Sequence, residues 1–361
     1  MIPNIYKGDY RKWIVFPLIL IVASLFFIPN VQLGVDFRGG TLITLQLEGP
    51  LDADALESDL LAAGFDAKVQ VFDSGGGGKA EVEVSQTPQI EEADTLKDRF
   101  NELIEEVSWL EARSYSNQSV VAEYEEKRAE LDGIADRMFE LAGANTRADL
   151  FTNLNDLQAA FSGSYLRAYN LHMENIMGIV GKDVQYSSYS AETVSPALSM
   201  HFIEQAFQVV LFSAVLSVIL VFFFFRTFIP SLAVLVGAFS DIVIALGAMS
   251  LFGIPLTLPS FAALLMLIGY SLDTDILLTM RIMKRRGDPR QNAYDSMKTG
   301  MTMSITGILA FSVLFILSTI THIATYYEIS AVALAGLVGD LFATWGLNAV
   351  MVLWYKEHRE K

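Results

Sequence analysis

The chain has no cysteine in its 361 residues and only four histidines, His172, His201, His322 and His358, far apart along the sequence. Disulfide scaffolds, thiolate nucleophiles and cysteine-ligated metal are excluded. No histidine pair has the spacing of a helical metal site, and nothing resembles a nucleophile with its base. The sequence therefore predicts no cofactor, no metal and no enzyme. Charge is scarce as well: 18% of residues are charged, against about 25% in an ordinary soluble domain. The apolar residues, 52% of the total, concentrate in residues 13–29 and 206–355. This is the pattern of a membrane protein carrying one large polar insert.

The net charge of −16 is unevenly placed. Residues 30–205 hold 31 acidic and 12 basic side chains, and the rest of the chain holds 10 and 13. An acidic insert excludes nucleic acid as a partner. Its charge runs, such as Glu123-Tyr124-Glu125-Glu126-Lys127-Arg128, read as solvated helix faces.

A membrane span takes roughly 20 apolar residues. Six stretches qualify: Trp13–Pro29, Ala206–Phe225, Pro230–Phe252, Leu258–Thr279, Thr302–Ile320 and Ile329–Tyr355. The breaks between them carry turn chemistry at Arg226 to Pro230, Gly253-Ile254-Pro255, Gly287-Asp288-Pro289 and Thr321-His322. The first span is expected to be an uncleaved signal anchor, since no small-residue cleavage pattern follows it. All 13 basic residues outside the insert fall on the side of the N-terminus, so that side is expected to be cytoplasmic. The predicted layout is a cytoplasmic segment 1–12, a first span 13–29, an extracytoplasmic domain 30–205, five spans in 206–355 and a cytoplasmic tail 356–361.

Within the insert, alternation over residues 35–47 predicts a strand, Asp52 caps a short helix over 52–63, and Lys68–Phe72 and Ala80–Val84 predict a hairpin around Asp73-Ser74-Gly75-Gly76-Gly77-Gly78. No helix follows those glycines, so they do not form a phosphate cradle. Apolar spacing of three to four at Leu96, Phe100, Leu103, Val107 and Leu110, and again at Leu131, Ile134, Met138 and Leu141, predicts amphipathic helices to about residue 178. Residues 182–189 alternate and are expected to close the sheet. The fold class is thus a polytopic α-helical membrane protein with six transmembrane helices and an α+β domain between the first two. That domain has β-α-β-β-α-β order with a helical insertion at about 110–180. Asn117-Gln118-Ser119 is a lone glycosylation sequon.

The residues of most interest are carboxylates at bilayer depth: Asp241, Asp273, Asp275 and Asp340. A carboxylate in hydrocarbon is costly unless it is partnered, hydrated or protonated, and such residues mark ion paths or helix contacts. Asp241 lies about 16 Å into its span, near mid-bilayer. Asp273 and Asp275 point to different helix faces, so at most one faces Asp241. Two readings remain open: a proton-responsive cluster tuned by a cation such as Lys298, or polar side chains that bond neighbouring helices and fix their packing.

Five motifs in order carry a family resemblance. Asp36-Phe37-Arg38-Gly39-Gly40-Thr41, directly after the first span, resembles the D-F-x-G-G-T signature of the SecF family of protein-export membrane subunits. Val194-Ser195-Pro196 is similar to that family's V-G-P, and Phe225-Arg226 follows the second span as in the family. Ser240-Asp241-Ile242-Val243 resembles its H-D-V, with serine in place of histidine. Gly269-Tyr270-Ser271-Leu272-Asp273-Thr274-Asp275 resembles G-Y-S-x-N-D-T, followed by Arg281, and the paired-aspartate form is similar to archaeal members. Lys298 stands near a functional arginine of bacterial relatives. The resemblance implies a subunit that pairs with SecD in a complex of the resistance-nodulation-division superfamily. Such a complex acts beside the Sec translocon channel on a translocating polypeptide, within membrane lipid, and its bacterial forms couple export to the proton gradient. Two other classes share these features: an exporter of lipids or small molecules of the same superfamily, and a translocon scaffold without ion coupling.

Overall fold

The computed structural model describes residues 4–72, 78–321 and 323–359, without the side chains of Asp183, Pro196 and Ala197. The first span forms helix α1 (Val15–Phe27) and is followed by a helical turn α2 (Val35–Arg38). Then come β1 (Gly40–Leu47), α3 (Ala53–Ala62), β2 (Ala67–Phe72), β3 (Lys79–Ser85), α4 (Pro88–Ser114), α5 (Val121–Leu141), α6 (Leu154–Asp183) and β4 (Tyr186–Val194). The remaining helices are α7 (Pro196–Phe225), α8 (Phe228–Phe252), α9 (Leu258–Lys284), α10 (Pro289–Thr321), α11 (Ala324–Phe342) and α12 (Ala349–Arg359), the last two joined by a π-helical turn, Ala343–Asn348. Two compact units result, one from Met1–Phe37 with Met200–Lys361, the other Arg38–Ser199.

The inserted unit is a four-stranded antiparallel sheet of order β2-β3-β1-β4 with helices on one face. Alternate residues of the strands, Ile43, Leu45, Val69, Ala80, Val82 and Val84, bury against Leu56 and Leu60 of α3 and Ile176 and Val180 of α6. Asp52 starts α3 by accepting the Ala55 N–H at 3.2 Å, the usual way of satisfying an orphan donor in a first turn. A second core lies among α4, α5 and α6, where Phe100 and Phe161 stack with centroids 3.9 Å apart. The expected β-α-β-β-α-β order is therefore present, its second helical element expanded into three helices.

Two boundaries next to the sheet differ from the sequence reading. Val35–Arg38 is a helical turn, and the strand begins only at Gly40. The reason is the glycine pair. Gly39 has φ +75° and Gly40 φ +139°, and a Cβ on Gly40 would overlap the Val84 carbonyl of the neighbouring strand. The pair redirects the chain from turn to strand. The closing strand runs over Tyr186–Val194, because α6 continues to Asp183. Residues 73–77 of the glycine-rich hairpin tip, and His322, lie outside the described residues.

In the other unit six helical stretches are long and apolar enough to cross a membrane: Tyr10–Asn30, Leu198–Phe225, Phe228–Phe252, Leu258–Lys284, Pro289–Thr321 and Ala324–Arg359. The fifth starts well before the expected Thr302, because its first three turns are polar on one face, with Asn292 and Ser296 buried. Turn chemistry ends and starts these helices. Gly253 closes α8 in the left-handed region at φ +67°, and Thr257 and Ser260 form a reciprocal capping box at the start of α9. Helices α8, α9 and α11 make the interior, while most of α7 is exposed, as suits a helix facing hydrocarbon. Small residues let backbones approach: a Cβ on Gly247 would overlap Ser24 of α1, and one on Gly339 would press on Ile244.

Replacing Gly40 by alanine should cost about 1–3 kcal/mol from backbone strain alone. Thermal melting of the detergent-solubilised full chain should show a lowered midpoint for Gly40→Ala and none for Gly133→Ala, whose added methyl meets no atom within 4 Å.

Candidate functional site

Three of the carboxylates meet inside the helix bundle. Asp241 on α8, Asp275 on α9 and Asp340 on α11 are each at most 1% exposed. Ser271, one turn before Asp275 on α9, donates to Asp241 Oδ2 at 2.5 Å. Thr344, one turn after Asp340, places its Oγ1 at 2.8 Å from both Asp275 Oδ1 and Asp340 Oδ1. Ser304 of α10 donates to Asp340 Oδ2 at 3.3 Å. Gly237, one turn before Asp241, makes room for the Asp275 carboxylate, which a Cβ there would overlap.

The Thr344 contacts have a chemical consequence. A hydroxyl has one hydrogen to donate. It satisfies one of the two carboxyl oxygens, and the other short contact is favourable only when that carboxyl group itself carries a proton and donates to Thr344. Among the described residues no lysine, arginine or histidine pairs with any of the three acids. Three anionic groups in a low-dielectric interior without a cation would repel one another far more strongly than a few hydroxyl bonds could offset. A proton on one of the carboxyl groups would satisfy both Thr344 contacts at once.

The other sequence candidates lie outside the cluster. Asp273 sits on the exposed face of α9, away from the cluster, and Asp275 takes the inward position. Two residues along a helix is more than half a turn, so only one of the pair can face α8 and α11. Lys298 does not reach the acids: it is exposed, 3.6 Å from Asp295 and 4.1 Å over the Tyr294 ring. Ser240, in place of the family's histidine, bonds the Val236 carbonyl of its own helix. Arg281 ties α9 to α10 through the Asp295 carbonyl (3.1 Å) and the Thr299 hydroxyl (2.9 Å). Arg226, with φ +51°, forms the tight link between α7 and α8.

The first motif has a structural role. Asp36 Oδ2 accepts the Leu258 N–H at 2.9 Å, capping α9 beside Thr257, and the Phe37 ring meets Phe261 edge-on at 6.1 Å. Thr41 pairs with Thr193 across the sheet at 3.1 Å. Pro196 is the first residue of α7. Gly269 has no atom within 4 Å of where a Cβ would lie, on the same exposed face as Asp273.

Sequence reasoning quoted Ser271 only as part of a motif, with no role, and missed Thr344 and Asn348. The signal of these two was spacing in steps of four from Asp340. It also missed Glu328, which is buried and accepts a hydrogen bond from Thr257 at the opposite end of the bundle from the termini.

The fold and site together define a polytopic helical membrane protein with an α+β domain inserted after its first span and an acidic cluster inside its bundle. The profile of the family "Protein export membrane protein SecD/SecF, C-terminal" matches residues 174–358, and that of the "SecD/SecF GG Motif" matches residues 25–50. The chain belongs to the SecD/SecF family. It is 45% identical over 176 residues to the protein-export membrane protein SecF of Methanothermobacter thermautotrophicus, covering 48% of this chain and 61% of that one. It is 48% identical over 138 residues to SecF of Haloferax volcanii, covering 38% and 48% of the two chains. For SecF of Methanocaldococcus jannaschii the identity is 42% over 178 residues, covering 48% and 63%. The chain thus spans less than two thirds of the length of these curated relatives, which are named as export proteins and not as enzymes. Its fold is similar to the crystal structure of SecDF, a translocon-associated membrane protein from Thermus, with TM-score 0.61 at 18% identity over 98% of this chain and 39% of that one.

Thr344→Val keeps the shape but removes the bridging hydroxyl, and should destabilise the solubilised protein by about 1–3 kcal/mol, while Thr344→Ser should be tolerated. Paired thermal melts of the two variants check this.

Proposed function

We propose that this chain is the SecF-like subunit of a SecD/SecF protein-export complex, in which proton binding at Asp241, Asp275 and Asp340 biases the arrangement of the membrane helices. The observation that supports the reading is the Thr344 hydroxyl shared by two buried carboxyl groups, an arrangement that a proton on one of them would satisfy. A cluster that holds protons without a cation can change its proton count, and each change alters which helices are bonded together. That is what a two-state element needs.

The orientation follows from charge. With all thirteen basic residues outside the insert on the side of the termini, that side is cytoplasmic and the α+β domain faces outward. There it would meet the emerging polypeptide or the partner's outer domain. The partner reading rests on α9. Gly269 and Asp273 share an exposed face, and Asp273 has no hydrogen bond or ion pair among the described residues. A bare carboxylate facing hydrocarbon is too costly to persist, so this face is covered in the assembly. Six spans are half of the superfamily's twelve, and SecD supplies the rest.

Asp241→Asn and Asp275→Asn should each abolish gradient-dependent export in membrane vesicles, with SecD still recovered by affinity purification. Asp273→Asn should instead weaken recovery of SecD. Full gradient-dependent export in both interior variants would leave a scaffold without ion coupling as the better reading. Substrate-dependent efflux without SecD would favour a lipid or small-molecule exporter.

A further inference from the structure

The first span and α10 leave one side of α11 uncovered, where Val338 and Phe342 are exposed. At the end of this side nearer the termini lies a groove of about 460 Å³. It is lined by Trp13, Phe16 and Pro17 of the first span, Met301 of α10, and Trp345 and Gly346 of the π turn. Gly346 lets the first span lie close, since a Cβ there would crowd Pro17 and the Trp13 carbonyl, each at 3.0 Å. Trp13 and Phe16 nevertheless stand 48% and 47% exposed, so the groove is open along its side.

The lining decides what can fill it. Among the described residues it is entirely apolar, aromatic or glycine. Aromatic rings offer large apolar faces, and methionine adapts to irregular apolar shapes. A helix is about 10 Å across and takes up on the order of 400 Å³ in each turn. The groove therefore has room for little more than one turn of a partner helix. A hydrocarbon chain is far thinner and can follow it along its length.

The ends of the groove fit one leaflet of a bilayer. At the deep end the Phe16 and Phe342 rings meet with centroids 4.6 Å apart. Phe342 lies two residues from Asp340, which the sequence places near mid-bilayer. These two rings also line a second groove of about 580 Å³, which continues toward the opposite side. The mouth of the first groove is at Ile5 and Trp13. From ring pair to mouth it lies within one leaflet, roughly 15 Å of hydrocarbon.

The mouth is held in place and is basic. The buried Tyr6 hydroxyl donates to the Trp345 carbonyl at 2.9 Å, and the Tyr10 hydroxyl donates to Glu357 at 2.8 Å. These bonds fix the N-terminal segment against the π turn and α12. Lys7, Arg11 and Lys12 of that segment are exposed. The acids nearby are Asp9, 3.7 Å from Lys12, and Glu357, which also accepts from Arg290 at 2.6 Å. The segment keeps a net positive charge beside an apolar slot, and basic clusters at a membrane surface attract anionic headgroups.

We propose that this groove binds one chain of a glycerolipid with an anionic headgroup, drawn from the leaflet on the side of the termini, and that Lys7, Arg11 and Lys12 hold the headgroup. The bound chain covers Trp345 and Gly346 and supports the π turn from its open side. The site stands independently of proton coupling.

The chain's four tryptophans make a direct test available, because Trp13 and Trp345 line the groove whereas Trp109 and Trp354 do not. The full chain carrying Trp109→Phe and Trp354→Phe is reconstituted, alone and with SecD, in phosphatidylcholine vesicles. Small mole fractions of phosphatidylglycerol brominated on its chains are added, and bromine in contact with an indole quenches its fluorescence. Brominated phosphatidylcholine is the reference. Half-maximal quenching should come at a mole fraction at least about fivefold lower for the anionic lipid. Lys7→Gln, Arg11→Gln and Lys12→Gln together should remove that preference. Lys356→Gln with Arg359→Gln, basic positions outside the groove, should leave it intact. Equal quenching by the two lipids, or a preference untouched by the triple variant, overturns the site. Equal loss in both charge variants means diffuse surface attraction and overturns it as well. Loss of quenching when SecD is present assigns the groove to that partner, and loss as protein density in the vesicle rises assigns it to a second copy of this chain. A preference that persists with SecD and at high protein density supports the lipid.

Discussion

The membrane unit depends on how three carboxyl groups are accommodated where no basic side chain among the described residues pairs with them. Asp241, Asp275 and Asp340 come from three different helices, and Ser271, Thr344 and Ser304 are their bonded partners. Each bond crosses between helices or closes one turn, so the cluster fixes helix register. Gly237 and Gly339 flank it, allowing the Asp275 carboxylate and Ile244 to come close. Larger residues there would separate the helices and break the hydroxyl bonds. Under the proposed function, packing and protonation are coupled through the same hydroxyl bonds. This merges the two readings the sequence left open, since the groups that would carry a proton are also those that fix helix packing.

The π turn belongs to the same constraint. Within Ala343–Asn348 the regular ladder is relaxed, and the Trp345 carbonyl accepts from the buried Tyr6 hydroxyl at 2.9 Å. Such turns occur often at functional positions, since they alter side-chain phase without ending the helix. Here the turn carries Thr344 toward the acids and Trp345 into the space left by Gly300. At the same end of the bundle Glu357 bonds Tyr10 (2.8 Å) and Arg290 (2.6 Å), tying the N-terminal segment, α10 and α12 together. A helix held at its end and relaxed in its middle is suited to small rotations that keep the bundle intact.

Much of this was legible in the sequence, for physical reasons that differ by element. The spans could be read because hydrocarbon demands long apolar runs. The sheet could be read because its strands are half-buried and alternate. The start of α10 could not, since Asn292 and Ser296 face inward and lower the apolar signal of a segment that is nevertheless helical. Nor could the choice between Asp273 and Asp275 be made, because it depends on the rotational phase of α9 against α8 and α11, which only the packed bundle sets. Lys298 looked like a cation for the acids from its place near a span end. In the fold it lies at a polar surface with Tyr294 and Asp295, where a long side chain keeps its charge solvated. Thr344 was hidden, and Ser271 was visible only as a motif letter, because hydroxyls are common in such helices and become informative only when they face a carboxylate.

The packing on either side of the cluster bears on what holds the acids in place. Toward the termini, Leu278 and Ile282 of α9 and Met297 of α10 bury with Trp345, Val350 and Leu353. Away from them, Ala263, Leu264 and Leu267 of α9 pack with Val332 and Leu337 of α11 and Ala245 and Met249 of α8. The acids thus lie between two apolar cores. Helix α9 contributes to both cores and, through Ser271 and Asp275, to the cluster itself. A change in the hydroxyl bonds is therefore resisted on both sides, because closely packed side chains must rearrange together.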